Sequence, residues 1–237
     1  MALAMTRVFT LLLPASTAFA QIASNAISRP SNYFIERCTG EKLSESLVDA
    51  NGMFQFDSGS IRRIGNEASE SRNRQFITSA RSDFLSANWT YEITFKAPLN
   101  APDDILSIGF GEGVPDHSFY NEPKNSVYFH FHQGKTGWNN GWRVDIISHS
   151  TGYFVYPYKA EGIGYLPPGS KDGIFTARIS KKGDVVTFSV PGTKITHTIK
   201  NISAAAPFLS PSNTRLFFGS SSSAYSYCCI TSLPVEY

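Results

Sequence analysis

Residues 127–142 read VYFHFHQGKTGWNNGW: two histidines one residue apart in an aromatic run, then a loop holding two tryptophans and two asparagines. Imidazoles at i and i+2 on an extended strand point the same way. They can ligate a metal, move a proton or hydrogen-bond a ligand, while the tryptophan rings offer apolar surface beside them. Alternation assigns Tyr128, His130 and His132 to one face, and Val127, Phe129, Phe131 and Gln133 to the other. The second set is mostly apolar and is expected to face a core, which leaves the tyrosine and both histidines on the outer surface. In WRVDIISH, from residue 142, Arg143, Asp145, Ile147 and His149 alternate with Trp142, Val144, Ile146 and Ser148. A hairpin around Trp138 would gather Tyr128, His130, His132, Arg143 and Asp145 into one patch.

Four readings compete for that patch. The blandest is a solvated sheet face whose Tyr and His are there for strand propensity. A glycan-binding face would place Trp138 and Trp142 against pyranose C–H groups, with Asn139, Asn140, Arg143 and Asp145 bonding hydroxyls. A metal site would need Asp145 or His149 as third ligand, and no tighter ligand spacing occurs elsewhere. A catalytic site is the fourth. Glycan contact is the reading adopted, with no metal ligand and no catalytic residue assigned.

The elements that must position these residues follow an expected leader. MALAMTRVFTLLLPASTAFAQ has one positive charge at Arg7, an apolar run over residues 8–13, and Ala18 and Ala20 flanking Phe19. That is the pattern of a secretory signal cleaved after residue 20, and the run is too short to span a bilayer. Export to an extracellular or periplasmic compartment is therefore expected, with no membrane span. The chain carries 21 Lys and Arg against 19 Asp and Glu, with Arg7 inside the leader. This balance lacks the basic face that nucleic acid requires. Aromatic residues make up 14% against 17% charged, a ratio that favours rings as ligand surface as well as core.

The cysteines are Cys38, Cys228 and Cys229. In an oxidising compartment Cys38 is expected to bond Cys228 or Cys229, with Cys228 adopted; a vicinal bond is the alternative, and one thiol is left over either way. Two N-X-Ser/Thr sequences, Asn88-Trp89-Thr90 and Asn201-Ile202-Ser203, matter only in a host that glycosylates them.

Beyond residue 33 the chain is a succession of short alternating runs broken by Gly, Pro, Asn and Ser. WTYEITFK, at 89–96, sets Trp89, Tyr91, Ile93 and Phe95 against Thr90, Glu92, Thr94 and Lys96. Strands at 174–181, 185–190 and 193–199, joined by Lys182-Gly183-Asp184 and Pro191-Gly192, make a meander. Further strands are expected at 33–38, 53–57, 75–79, 105–109, 127–132, 142–148, 153–158, 215–219 and 230–236. The mixed-charge IRRIGNEASESRNRQ, at 61–75, reads as a solvated loop. About a dozen strands call for a two-sheet antiparallel sandwich of the jelly-roll type. The division expected is a leader at 1–20, an N-terminal segment with a first strand at 21–52, and one β-sandwich domain at 53–237.

NWTYEITFKAP, GIFTARISKKGDVVTFSVPG and the closing RLFFGSSSSAYSYCCITSLPVEY resemble an early strand, a central hairpin and the last two strands of the concanavalin A-like lectins and glucanases, most closely their laminin G-like modules. The resemblance covers the chain from about residue 54 and rests on strand rhythm and turn chemistry. It implies a jelly roll whose relatives include lectins, hydrolases, lyases and protein-binding modules. Hydrolases of that fold carry paired carboxylates in a pattern such as Glu-X-Asp-X-X-Glu, because retaining hydrolysis needs two carboxyl groups about 5 Å apart. This chain has no such run, leaving Glu92 with Asp145 as the pair to test. Jelly-roll lyases use His or Tyr bases with carboxylate-neutralising partners, types that Tyr128, His130, His132, Gln133, Arg143, Tyr156 and Tyr158 supply without the family's spacing. Sandwich lectins often hold calcium beside the sugar; Glu112, Asp116, Asn121, Glu122 and Asn125 are oxygen donors in one loop, at a spacing that matches no calcium loop. No cofactor is therefore assigned, and calcium stays an open option. The expectation is an exported glycan- or polysaccharide-binding sandwich, the alternatives being a polysaccharide-degrading enzyme and an adhesion module.

Overall fold

The structure is a computed structural model that describes residues 34–36, 42–57, 59–64, 74–96, 105–115, 122–133, 142–150, 159–166, 174–221 and 226–233. The strands are β1 (Phe34–Glu36), β2 (Leu47–Val48), β3 (Phe54–Asp57), β4 (Ser60–Arg63), β5 (Gln75–Ser79), β6 (Trp89–Lys96), β7 (Ile105–Gly111), β8 (Ser126–Gln133), β9 (Trp142–His149), β10 (Lys159–Leu166), β11 (Ile174–Lys182), β12 (Val185–Ser189), β13 (Thr196–Ile199), β14 (Arg215–Ser220) and β15 (Ser226–Leu233). The one α-helix described, α1, is a single turn at Ile202–Ala205. All the strand pairings are antiparallel.

They form two sheets. One runs β13-β12-β11-β6-β15-β4-β3, with β1 also on β15, and the other runs β10-β9-β8-β7-β14-β5-β2. The all-β sandwich expected from alternation is what forms. In β6, Trp89, Tyr91, Ile93 and Phe95 are buried, while Thr90, Glu92 and Thr94 lie on the opposite face. That opposite face is a ladder of cross-strand polar pairs: Thr90 with Ser180 at 3.1 Å, Glu92 with Arg178, and Thr94 with Thr176 at 2.9 Å. Between the sheets the rings interlock. Phe95 meets Phe131 edge-on at 5.2 Å, Phe129 meets Phe188 at 5.1 Å, and Trp89 meets Phe110 at 5.5 Å. Each such side chain, fully buried, contributes about 1.5–3 kcal/mol. The core also takes in two phenols: burial pushes Tyr91 and Tyr227 well above the ordinary tyrosine range.

Several elements differ from the sequence reading, each for a local reason. The last strand starts at Ser226 rather than 230, because the β15–β6 register shifts between Tyr227 and Cys229. Tyr227 and Ile230, three positions apart, are thus both in the core, a spacing that plain alternation forbids. The stretch read as a solvated loop begins instead within β4, with Ile61 and Arg63 buried, and ends with the buried Arg74 and with Gln75, the first residue of β5. The Lys182-Gly183-Asp184 reversal is present, with Gly183 at φ 57°, but β13 begins at Thr196 rather than 193. The strand expected at 153–158 lies outside the described residues; the strand that pairs with β9 is β10, where the register shifts between Gly162 and Gly164. Strands β1 and β2, from the segment set apart at 21–52, pair with β15 and β5. The leader and Cys38 lie outside the described residues.

β1 and β4 share one edge of β15: Tyr227 pairs with Ile61 of β4, and Ile230 pairs with Glu36 of β1. Cys228 and Cys229 of β15 lie between those two pairings. A Cys38–Cys228 bond is the expected product in oxidising conditions, and peptide mapping without reductant would read it as a single cross-linked peptide pair. Mapping that finds Cys228 joined to Cys229, or all three thiols alkylated, would reject the pairing.

Candidate functional site

The register across β7, β8 and β9 builds the outer face of the seven-stranded sheet row by row. His130 lies opposite Ser107 on one side and Asp145 on the other. His132 lies opposite Arg143, and Tyr128 lies between Gly109 and Ile147. The antiparallel pairing of these two strands expected from the sequence therefore forms, and it brings Tyr128, His130, Arg143 and Asp145 onto one face; the His132 side chain is outside what the structure describes. Trp142 is the first residue of β9, opposite Gln133. Trp138, Asn139 and Asn140 lie outside the described residues.

The face is not open to solvent throughout, which corrects the expectation for its centre. Tyr128 is fully buried. Its hydroxyl donates to Glu122 Oε2, and the same oxygen takes an Arg74 guanidinium N–H at 2.6 Å. Arg74 is 1% exposed and Glu122 8%, so both charges are inside the protein. Phe217, Phe76 and Ile147 complete an apolar cluster around the Tyr128 ring. Tyr128 and Phe217 come from strands either side of β7 and meet edge-on at 6.1 Å across Gly109, the residue paired with both. A Cβ at 109 would overlap Tyr128 Cβ and the Val127 carbonyl, so only glycine lets these rings close over the sheet. His149 is held at the same end, with Nδ1 3.3 Å from the Pro123 carbonyl.

The other end of the face is polar. The His130 ring stacks beside Tyr128 with centroids 6.3 Å apart and planes 19° apart. Asp145 Oδ1 accepts from Arg143 Nε at 2.8 Å. The Arg143 side chain keeps 35% of its surface in solvent while Asp145 keeps 8%, so the buried carboxylate fixes a guanidinium that reaches outward. Ser107, fully buried in the row with His130 and Asp145, has a hydroxyl with no hydrogen-bond partner among the described residues. This end can orient a planar, multi-donor cation toward a polar ligand.

No family model and no curated protein matches the sequence. The structure, by contrast, is similar to several solved ones. The CBM2 module of the evolved Dit of Lactobacillus casei BL23 phage J-1 matches over 86% of this chain and 96% of that one, with TM-score 0.54 and 12% identity. A legume lectin-like domain from Entamoeba histolytica matches over 86% and 91%, with TM-score 0.53 and 10% identity. An engineered GH43 glycoside hydrolase matches over 91% of this chain but only 43% of its own length, with TM-score 0.58 and 9% identity. The fold is a concanavalin A-like sandwich.

In this concanavalin A-like sandwich the two carboxylates singled out for hydrolysis are far apart. Glu92 points outward from β6 in one sheet and is bound by Arg178, while Asp145 points outward from β9 in the other. Sheets stack about 10 Å apart, so the core separates these groups and they cannot form a retaining pair. The calcium donors are likewise engaged. Glu122 serves Arg74 and Tyr128, and Glu112 takes Asn125 Nδ2 at 2.8 Å and lies 3.5 Å from Lys124 Nζ. Asp116 and Asn121 lie outside the described residues. Among the described residues no group of three His, Cys, Asp or Glu could hold a metal ion.

Sequence reasoning missed Arg74, Phe76 and Phe217, and it read Glu122 as a possible calcium donor. A signal was present: Phe217-Phe218 and Ile146-Ile147 are adjacent apolar pairs, which alternation must send to both faces. Glu122→Ala would remove the buried carboxylate that Arg74 and the Tyr128 hydroxyl share, and is expected to cost about 3–5 kcal/mol in urea unfolding. The double replacement Arg74→Met with Glu122→Leu should recover most of that loss; equal destabilisation by both variants would show that the ion pair is not what Glu122 supplies. Gly109→Ala is expected to cost about 1–3 kcal/mol in the same assay through overpacking.

Proposed function

We propose that this protein is an exported, non-catalytic carbohydrate-binding sandwich whose ligand lies at the polar end of the outer face of the seven-stranded sheet. The observation that carries the reading is the cross-strand pairing of His130 with Asp145 and of His132 with Arg143, with Arg143 tethered yet reaching solvent. A saccharide presents hydroxyls around a ring whose faces are C–H surface. It is held by planar donors and acceptors set beside aromatic rings. Asp145 restrains Arg143 before any ligand arrives, which lowers the ordering cost of binding. Trp138, Asn139, Asn140 and Trp142 belong to the connection between the two strands or its end, and supply the stacking and amide groups in this reading. Tyr128 supports the floor through its stack on His130. The names of the similar structures, a CBM2 module and a legume lectin-like domain, support a carbohydrate ligand.

The hydrolase reading needs a second carboxylate near the first. Among the described residues Asp145 is the only carboxylate on β7, β8 and β9, and its Oδ1 is bound by Arg143. Glycan-array screening followed by titration calorimetry should find a glycan ligand, with Arg143→Ala, Trp138→Ala and Trp142→Ala each weakening binding about tenfold or more, roughly 1.4 kcal/mol. Unchanged affinity in all three variants would put the site elsewhere. Release of reducing ends from the bound glycan, or a rise in unsaturated-uronate absorbance, would replace the binding reading with a hydrolase or a lyase.

A further inference from the structure

The two N-X-Ser/Thr sequences play no part in that reading, yet both meet the same turn. Asn88 Oδ1 accepts the Gly183 N–H at 2.8 Å. From the other side Ser203 donates to Asp184 Oδ1 through its N at 3.0 Å and its Oγ at 2.7 Å, and the Ile202 N–H donates to the Asp184 carbonyl at 2.9 Å. The β11–β12 turn is clasped by both.

Their surroundings differ in the way that matters for modification. Asn88-Trp89-Thr90 straddles the start of β6: Trp89 is fully buried with Nε1 donating to the Phe84 carbonyl at 2.8 Å, and Thr90, on the outer face of the sheet, is engaged with Ser180 at 3.1 Å. Asn88 itself is half-buried beside Ala87 and Gly183, whose carbonyls both accept from the buried Lys181 Nζ, at 3.2 and 2.8 Å. A bulky hydrophilic group at this position must be accommodated where the strand enters the core. Asn201-Ile202-Ser203 instead opens α1 at the surface, with Asn201 and Ser203 exposed. Asn201 is the N-cap, in extended backbone at φ −143°, and its Oδ1 accepts the Ala204 N–H at 2.8 Å. The cap uses the amide oxygen, whereas N-glycosylation uses the amide nitrogen.

We propose that Asn201 is an N-linked glycan acceptor and that Asn88 is not. In the transfer, Asn201 Nδ2 bonds to C1 of the first sugar of a polyprenyl diphosphate-linked oligosaccharide. The C1–O bond to the diphosphate breaks, the polyprenyl diphosphate leaves, and Nδ2 gives up one proton. The amide and its oxygen remain, so the cap on α1 is kept. The glycan then stands at the turn of the eight-stranded sheet, on elements other than those that carry Arg143 and Asp145, so its presence leaves the ligand-binding face unaltered.

The test is the full chain secreted from eukaryotic cells behind a host signal sequence, with sites mapped by deglycosylation in heavy-oxygen water and mass spectrometry. Asn201 should carry the label and Asn88 should not. Asn201→Asp, which keeps an N-cap of equal strength, should abolish the mobility shift on deglycosylation, and Asn88→Asp should leave it intact. Ser203→Ala provides a second disabling change that keeps the asparagine. A label at Asn88, or an unlabelled Asn201 in the secreted folded protein, overturns the assignment. Glycan-array binding before and after deglycosylation is read separately, so failure here is distinct from failure of the carbohydrate-binding reading.

Discussion

Glu122 holds the outer face of the seven-stranded sheet together. Its Oε2 receives the Arg74 guanidinium and the Tyr128 hydroxyl, joining the residue that precedes β5, the connection that precedes β8, and β8 itself. A guanidinium that is 1% exposed would cost several kcal/mol if left alone, so a carboxylate at this point is close to obligatory. Once it is there, the phenol finds its acceptor and the Tyr128 ring lies inside. Phe217 and Phe76 then pack edge-on at 5.5 Å, and Phe217 closes against Tyr128 over Gly109.

This covering turns an apparently one-sided sheet into a layer buried on both faces. Every described side chain of β8 is buried, as are five of the six residues of β14. The cost is a reduced ligand surface. The solvent-reaching part retreats to the end of the face where Arg143 lies, with His130, Asp145 and Ser107 forming a buried polar row beside it. The outward carboxylates Glu92 and Asp145 belong to opposite sheets, which removes that pair as a hydrolytic one. Similarity at 9–12% identity to a binding module, a lectin-like domain and a hydrolase reflects a shared scaffold, and the choice among them rests on the side chains.

Alternation made much of the architecture legible. β6 is read residue for residue from WTYEITFK, and the β8–β9 hairpin follows from VYFHFHQ and WRVDIISH because a period of two is a local property. Where the ladder is irregular the reading failed. The bulge at Cys228 hides the first residues of β15, and the shift between Gly162 and Gly164 hides β10. The short β4 has no alternating apolar pattern at all: Ile61 and Arg63 share the buried side, and Arg63 is accommodated by donating to the Ser221 carbonyl.

By itself the sequence determined which side chains oppose each other along each regular strand, and hence that Tyr128, His130, His132, Arg143 and Asp145 would share a face. Only the tertiary structure decided how much of that face meets solvent. The deciding contact joins Arg74 to Glu122, 48 positions apart, and two charged residues in mixed polar segments carry no local sign that each is the other's partner. Periodicity is written into neighbouring residues, whereas the pairing of buried charges depends on which segments the fold brings together.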